Sequence, residues 1–335
     1  MSALFERFDA LLFDLDGVVY VGPHAVAHAP EAIEAASVGG VRCAFITNNA
    51  ARMPETVAQH LRDLGIACTV EDVVTSPQAA VTLLAEYAPQ GSRVLVIGGA
   101  GIADELAARG YVPVCSLDDG AVAVMQGFSP DLGWRDLAEA TYAVRAGLPW
   151  IATNPDRTFP TPRGAAPGNG AMVNLVAEAA GRRPDAVAGK PEPPLLREAI
   201  SRCRAERPLM VGDRLDTDIA AGWRIGIPTL LVLTGVTEPE EVLRASVADR
   251  PTYLGADLRV LLEPYPEIIE GAPGVAHART AECRDSTVVL RDGALAIVRD
   301  DDPVDVLRAA CVLAWAEADA GRPVDVAAIA GAVVT

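Results

Sequence analysis

Aromatic residues are scarce in this chain: Phe, Trp and Tyr make up 5% of its 335 residues. Packed cores must therefore be filled with aliphatic side chains, and half of the residues are hydrophobic, Ala and Val supplying much of that half. Positive charge is also in short supply, with 28 Lys and Arg against 45 Asp and Glu, a net charge of −17. That balance excludes nucleic acid and an anionic membrane surface as main partners, because both would repel the chain. It also means that an anionic substrate needs local positive charge, from a metal or from a Lys or Arg, in order to dock. No apolar run reaches the ~18 residues of a membrane span. The amino-terminal stretch MSALFERFDALLFDLDG has too short an apolar run, too interrupted by acids, to read as a signal peptide, and the cytoplasm is the expected location. The six cysteines, Cys43, Cys68, Cys115, Cys203, Cys283 and Cys311, form no C-x-x-C pair. Reduced, mostly buried thiols are expected, in place of a disulfide frame or a zinc site. There is no internal repeat and no low-complexity segment.

What is present is alternation. ALLFDLD, VRCAFITNN, RVLVIGG, AVAVMQG, LPWIATN, RPLMVGD and IPTLLVLTG are short apolar runs of strand type. Between them, APEAIEAASVGG, MPETVAQHLRDLGI, MVNLVAEAAG and PPLLREAISRC carry helical periodicity, the first stopping at Gly39-Gly40. The alternation predicts parallel sheets covered by helices, an α/β fold. VIGGAGI lacks the full spacing of a dinucleotide loop and reads as a strand-to-helix turn. His24, His28, His60 and His277 form no ligand cluster.

In open parallel sheets, ligands bind at the carboxyl ends of the strands. Three strand ends here carry polar residues: Asp14 and Asp16 at the first, Thr47-Asn48-Asn49 at the second, and Asp213, followed by Asp216 and Asp218, at a later one. Lys190 follows another short apolar piece, DAVAG. Three carboxylates in one crevice repel one another. A magnesium ion relieves that repulsion, since it takes carboxylates, phosphate oxygens and water as ligands. With the Lys190 ammonium added, a dianionic phosphate can enter. Residues i and i+2 of a strand point the same way, so Asp14 and Asp16 can address one ligand. One attacks phosphorus as a nucleophile, and the other protonates the leaving alkoxide and later takes a proton from water. Asp216 reads as a solvated acid near a helix start.

DLDGVVY, FITNNA, GKPEP and GDRLDTDI resemble, in order, the four motifs of haloacid dehalogenase superfamily phosphatases. The closest branch includes p-nitrophenyl-phosphatase-like, phosphoglycolate, glycerol-phosphate and pyridoxal-phosphate phosphatases. ATNPD (152–156) and PGNGAM (167–172) are similar to that branch's cap and hinge signatures. The resemblance covers roughly residues 8 to 262. It implies Asp14 as nucleophile and magnesium ligand, and Asp16 as general acid/base whose backbone carbonyl also meets the metal. Thr47, Asn48 and Asn49 would bind phosphoryl oxygens, and Lys190 would neutralise the nucleophile and the phosphate. Asp213 would be the metal carboxylate of the fourth motif, with Asp218 behind it orienting metal waters. The implied architecture is a doubly wound Rossmann-like parallel-sheet core (1–77 and 185–265), an inserted α/β cap (78–184) and a small α+β C-terminal appendage (270–335). Such a cap excludes water and selects the leaving group.

The expected reaction is hydrolysis of a small-molecule phosphate monoester, with glycerol 3-phosphate first among candidates and phosphoglycolate and pyridoxal phosphate as alternatives. Phe159, just after NPDRT, speaks against pyridoxal phosphate, because some relatives directed to that substrate carry a histidine near this point. A phospho-accepting receiver has similar residue types, but its motifs come in a different order. In the appendage, STVVLRDGALAIV reads as a hairpin turning at Arg291-Asp292-Gly293, PVDVLRAACVLAWAEADAG as an amphipathic helix, PVDVAAIAGAVV as a second short helix, and EGAPGVAHARTAE as a linker. The appendage should pack on the core, on a neighbouring subunit, or both. A homodimer is a candidate assembly.

Overall fold

The computed structural model describes residues 2–50, 52–161, 163–271 and 278–333. By packing, the chain divides into two compact units, residues 1–43 with 206–335, and residues 44–205. The fold class is α/β, parallel sheets layered with helices.

The first unit is built on four parallel strands in the order Tyr253–Gly255, Thr229–Val232, Pro208–Gly212, Ala10–Asp14. Leu11, Leu12 and Phe13 stand beside Leu209, Met210 and Val211, and all six are fully buried. Burial on both faces is why these strands are continuous hydrophobic runs, with no alternation. Because the strands are parallel, Asp14, ending the first, and Asp213, one residue past Gly212, leave the sheet at the same edge. Helix Ala29–Val38 starts with Pro at its first turn and closes before Gly39, matching its sequence pattern.

The appendage belongs to this unit. Its four antiparallel strands follow chain order, Ile268–Glu270, Arg279–Cys283, Ser286–Arg291 and Ala294–Arg299. The hairpin turns at Asp292 and Gly293, both at positive φ, as its Asp-Gly pair favours. Helix Pro303–Asp319 is capped by the Asp302 carboxylate, which accepts from the Val304 and Asp305 N–H groups. The linker reading of 270–282 is corrected in part: Glu270 and 279–282 are strand residues. The Arg279 side chain, which gives the segment its polar look, pairs with Glu270 and Glu317. Residues 272–277 lie outside the described residues.

The appendage shares one apolar core with the parallel sheet. Leu307, Ala310 and Leu313 of the long helix join Ile219, Leu231, Leu233, Val242 and Leu254 in a single cluster. A buried polar clasp crosses this contact. Arg308 donates through Nε to the Leu254 carbonyl at 2.9 Å, pairs with Asp305, and lies 4.9 Å from the Tyr265 ring centre. The same carboxylate accepts from Cys283 Sγ at 3.1 Å. Burial, assisted by Asp305, pushes the Cys283 thiol up to about 12.

The second unit carries a five-stranded parallel sheet in the order Ala186–Val187, Trp150–Ala152, Ala123–Gln126, Arg93–Ile97, Val112–Val114. The Trp150 indole is fully buried, donates to Gln126 Oε1 at 3.1 Å, and packs among Leu95, Val124 and Val176. In the same unit Phe45, Ile46 and Thr47 pair in parallel with Val73, Val74 and Thr75. Gly99 caps helix Ala100–Ala108, so VIGGAGI is a strand-to-helix turn. No described helix is long and apolar enough to cross a membrane.

All six cysteines are free thiols, but the expectation that most are buried needs correction: only Cys283 and Cys311 are, while Cys115 is exposed and the rest are half-buried. In a native titration with a thiol reagent at pH 8, Cys115 should react within seconds, and Cys283 and Cys311 only after denaturant is added. Mass-mapped labelling reads the order.

Candidate active site

An acidic cluster lies in the first unit. Carboxylate oxygens of Asp14, Asp213 and Asp218 come within 4.8 Å of one another. Asp213 and Asp218 are fully buried, and Asp14 is half-buried at its strand end. The strand Pro208–Gly212 delivers Asp213, and the chain then turns through a π-helical segment, Leu215–Ile219, that brings Asp218 back. Asp218 Oδ2 accepts from the N–H groups of Asp213 and Arg214 at 3.2 and 3.1 Å, which fixes the turn. Asp213 Oδ2 accepts from the Val236 N–H at 2.8 Å, and the Thr234 hydroxyl donates to the Gly17 carbonyl at 2.6 Å. The loop after Val232 thus wraps the Asp213 carboxylate. A Cβ on Gly235 would stand 1.9 Å from Asp213 Oδ2, so no other residue fits there.

Three ionised carboxylates this close repel one another, by several kcal/mol per pair at an effective dielectric constant of ~20. Their oxygens form a hard donor set that suits a divalent cation preferring oxygen ligands. Of the four acids placed at the metal from the motifs, Asp14, Asp16, Asp213 and Asp218, the structure gathers Asp14, Asp213 and Asp218. The Asp16 carboxylate is exposed and is not one of them. Asp216 is exposed and paired with Arg214 at 2.9 Å, in keeping with its reading as a solvated acid.

The second unit holds the other polar cluster. Thr47 is buried at its strand end, and its hydroxyl accepts from the Asn49 N–H at 3.0 Å. Asn48 grips Lys190 in both directions: its side-chain amide donates to the Lys190 carbonyl at 2.9 Å, and its Oδ1 accepts from the Lys190 N–H at 2.8 Å. The same amide reaches Asp156 Oδ1 at 3.1 Å. The Asn48 carbonyl in turn accepts from Asn154 and from Ser76, and Asn169 donates to the Asn154 carbonyl. A Cβ on Gly189 would come within 2.5 Å of Asn48 Oδ1, so the close approach demands glycine. Lys190 is 2% exposed.

Three features escaped the sequence reading. The Asn48–Lys190 brace joins residues 142 apart, and no local pattern announces it. Asn154, Asp156 and Asn169 join the network from segments that stood out only as signatures. The third feature was open to inspection: among 28 basic residues, Lys190 is the only lysine. A chain that uses arginine everywhere else keeps a compact ammonium at this one buried position, where a planar guanidinium is no substitute. Among the described residues no histidine joins the metal-type group; His277 and the Phe159 side chain lie outside the described residues.

The carboxylate group at a strand end of the parallel α/β scaffold is that of a hydrolase of the aspartate-based phosphoryl-transfer type. Residues 11–112 match the family model of haloacid dehalogenase-like hydrolases, and residues 187–261 match a related HAD-hydrolase-like model. The chain belongs to the haloacid dehalogenase-like hydrolases.

Its particular likenesses lie within the branch named from the motifs. It is 47% identical over 261 residues to D-glycerol 3-phosphate phosphatase of Mycobacterium tuberculosis, covering 78% of this chain and 73% of that protein. It is 36% identical over 260 residues to an acid sugar phosphatase of Staphylococcus saprophyticus, covering 77% of this chain and 98% of that one. Among solved structures, a glycerol phosphate phosphatase from M. tuberculosis in complex with magnesium superposes with a TM-score of 0.84 at 41% identity, covering 97% of this chain and 94% of the other. That coverage takes in most of the appendage. A p-nitrophenyl phosphatase from Archaeoglobus fulgidus gives a TM-score of 0.72 at 29% identity over 76% of this chain and 98% of the other.

Replacing Asn48 with Ala should leave the Lys190 N–H and carbonyl without these partners in a buried setting. A loss of about 2–4 kcal/mol in stability is expected, read from urea denaturation against wild type.

Proposed function

We propose that this chain is a magnesium-dependent phosphatase that hydrolyses glycerol 3-phosphate through an aspartyl-phosphate intermediate. The observation that carries the chemistry is the Asp14–Asp213–Asp218 carboxylate group. The substrate rests on the 47% identity to the M. tuberculosis D-glycerol 3-phosphate phosphatase.

Asp14, Asp213 and the backbone carbonyl of Asp16 would hold the magnesium ion, with Asp218 behind them orienting metal waters. The ion supplies charge neutralisation for the carboxylates and for the phosphoryl oxygens. Asp14 attacks phosphorus, forming the Asp14–phosphorus bond as the bond to the alkoxide breaks. Asp16 gives its proton to that alkoxide, releasing glycerol. Asp16 then accepts a proton from a water that attacks the aspartyl-phosphate, which frees phosphate and restores Asp14. The exposure of Asp16 suits a group that exchanges protons with water and with a departing polyol. Thr47, Asn48 and Asn49 bind phosphoryl oxygens, and Lys190 supplies a fixed positive charge. Its backbone is held on both sides by Asn48 and the residue is buried, which fixes the point from which the ammonium extends.

In this reading residues 1–77 and 185–265 form the phosphatase core, 78–184 the cap that selects the alcohol, and 270–335 the appendage. A cytoplasmic location, a homodimer, and the absence of nucleic-acid or membrane partners belong to the same proposal.

Phosphate release from glycerol 3-phosphate, 2-phosphoglycolate, pyridoxal phosphate and sugar phosphates should be greatest in kcat/KM for glycerol 3-phosphate and should depend on magnesium. Asp14→Asn should lower kcat by on the order of 10³-fold or more. Surviving activity in that variant contradicts the nucleophile, and a different best substrate contradicts the choice of glycerol 3-phosphate while leaving the mechanism intact.

A further inference from the structure

The appendage core extends up to the loop that wraps Asp213. That loop begins at Leu233, whose N–H donates to the Gly255 carbonyl. It supplies the Thr234 hydroxyl to Gly17 and the Val236 N–H to Asp213 Oδ2, and the Thr237 N–H donates to the Asp213 carbonyl at 3.2 Å. It then enters the short helix Pro239–Leu243. Val236 itself is 60% exposed, so its own side chain does little to fix the amide that meets Asp213. What anchors the loop lies at its two ends. Leu233 on one side, and Val242 and Leu243 on the other, are buried in the cluster formed with the appendage helix Pro303–Asp319.

A directional contact accompanies this packing. Trp315, on that helix, donates its indole N–H to the Val242 carbonyl at 2.9 Å. The Arg250 guanidinium stands over the indole, 5.4 Å from the ring centre. Arg250 is itself fixed by a two-point pair with Asp319 at 2.8 Å and by a bond to the Ala245 carbonyl at 3.2 Å. The indole thus meets the short helix at the Val242 carbonyl, which also accepts from the Ala245 N–H at 3.2 Å.

We infer that Trp315 is a positioning residue for the magnesium pocket: by holding the Val242 carbonyl it sets the Val236 amide against Asp213 and so tunes cation affinity from within the appendage. The inference rests on the reading of Asp213 as a metal carboxylate. An amide that donates to Oδ2 occupies one lone pair of the carboxylate and orients the other oxygen. If the amide drifts, the carboxylate rotates away from its place beside Asp14 and Asp218, and a rigid octahedral cation is sensitive to such displacement.

The test is magnesium binding to the full-length chain by isothermal titration calorimetry, for wild type and Trp315→Phe. The phenyl ring keeps the packing and deletes the N–H donor. A weakening of magnesium affinity by about threefold to tenfold is expected, the scale of one neutral hydrogen bond. In the metal-free proteins, hydrogen exchange at the Val236 amide should quicken in the variant, while amides of strand Pro208–Gly212 keep their wild-type protection. Arg250→Gln, which loosens the indole without touching it, should move affinity the same way by less. Arg299→Ala, an exposed substitution on the appendage hairpin, should leave it unchanged. Wild-type affinity in both Trp315→Phe and Arg250→Gln overturns the inference, even if their melting temperatures fall, because the role is then structural only. No magnesium binding by the wild-type protein overturns the metal reading, and the inference with it.

Discussion

Crowded negative charge is the constraint on which the rest of this molecule depends. The chain carries a net charge of −17, and at the carboxyl edge of its parallel sheet it brings three carboxylates within 4.8 Å. Asp213 and Asp218 are fully buried and Asp14 is half-buried, so hydration relieves the group only in part. What relieves them is local: backbone N–H groups aimed at the oxygens, and a cation. The surrounding loops follow from that requirement. The π-helical turn exists to bring Asp218 back under Asp213, where its Oδ2 takes two backbone N–H groups. The Val236 amide takes an oxygen of Asp213, and glycine at 235 is what lets the loop come that near. A donor set assembled in this way would suit a divalent ion, whose charge would offset the repulsion.

The Lys190 cluster solves the complementary problem, how to keep a positive charge in a buried place without losing its position. The observed solution is to bind the backbone. Asn48 takes both the N–H and the carbonyl of Lys190, and the Asn48 carbonyl is itself held by Asn154 and Ser76. The network draws on the strand that carries Thr47, on the ATNPD segment and on the helix that begins at Asn169, so the signatures seen as short motifs are parts of one brace. The buried clasp of Arg308, Asp305, Cys283 and Tyr265 works likewise at the appendage, tying the helix Pro303–Asp319 to Leu254 at the edge of the parallel sheet.

Much of this was legible in the residues because burial leaves a strong imprint. Doubly buried strands such as Leu11–Phe13 and Leu209–Val211 are unbroken apolar runs, and carboxylates just beyond them have few explanations other than a ligand. The Asp292-Gly293 turn and the Pro303 helix start were equally readable, since positive φ and a missing N–H restrict the residue choices. Strand Arg279–Cys283 was not readable, because the Arg279 side chain finds its partners, Glu270 and Glu317, only in the folded chain. The same holds for the Asn48 brace and the Trp315 contact, each between residues far apart in the chain. Sequence periodicity reports which face is buried; it does not report which distant carbonyl a donor will meet.

The most direct test of the central claim is a pair of thermal melts, with EDTA and with magnesium, for wild type and Asp213→Asn. The Asn side chain keeps an oxygen for the Val236 N–H and removes one charge from the carboxylate group. If the carboxylates are held together against their own repulsion, metal-free Asp213→Asn melts higher than metal-free wild type, and magnesium raises the melting temperature of wild type alone. A metal-free variant that melts lower than wild type, or a magnesium response equal in the two proteins, would contradict the account.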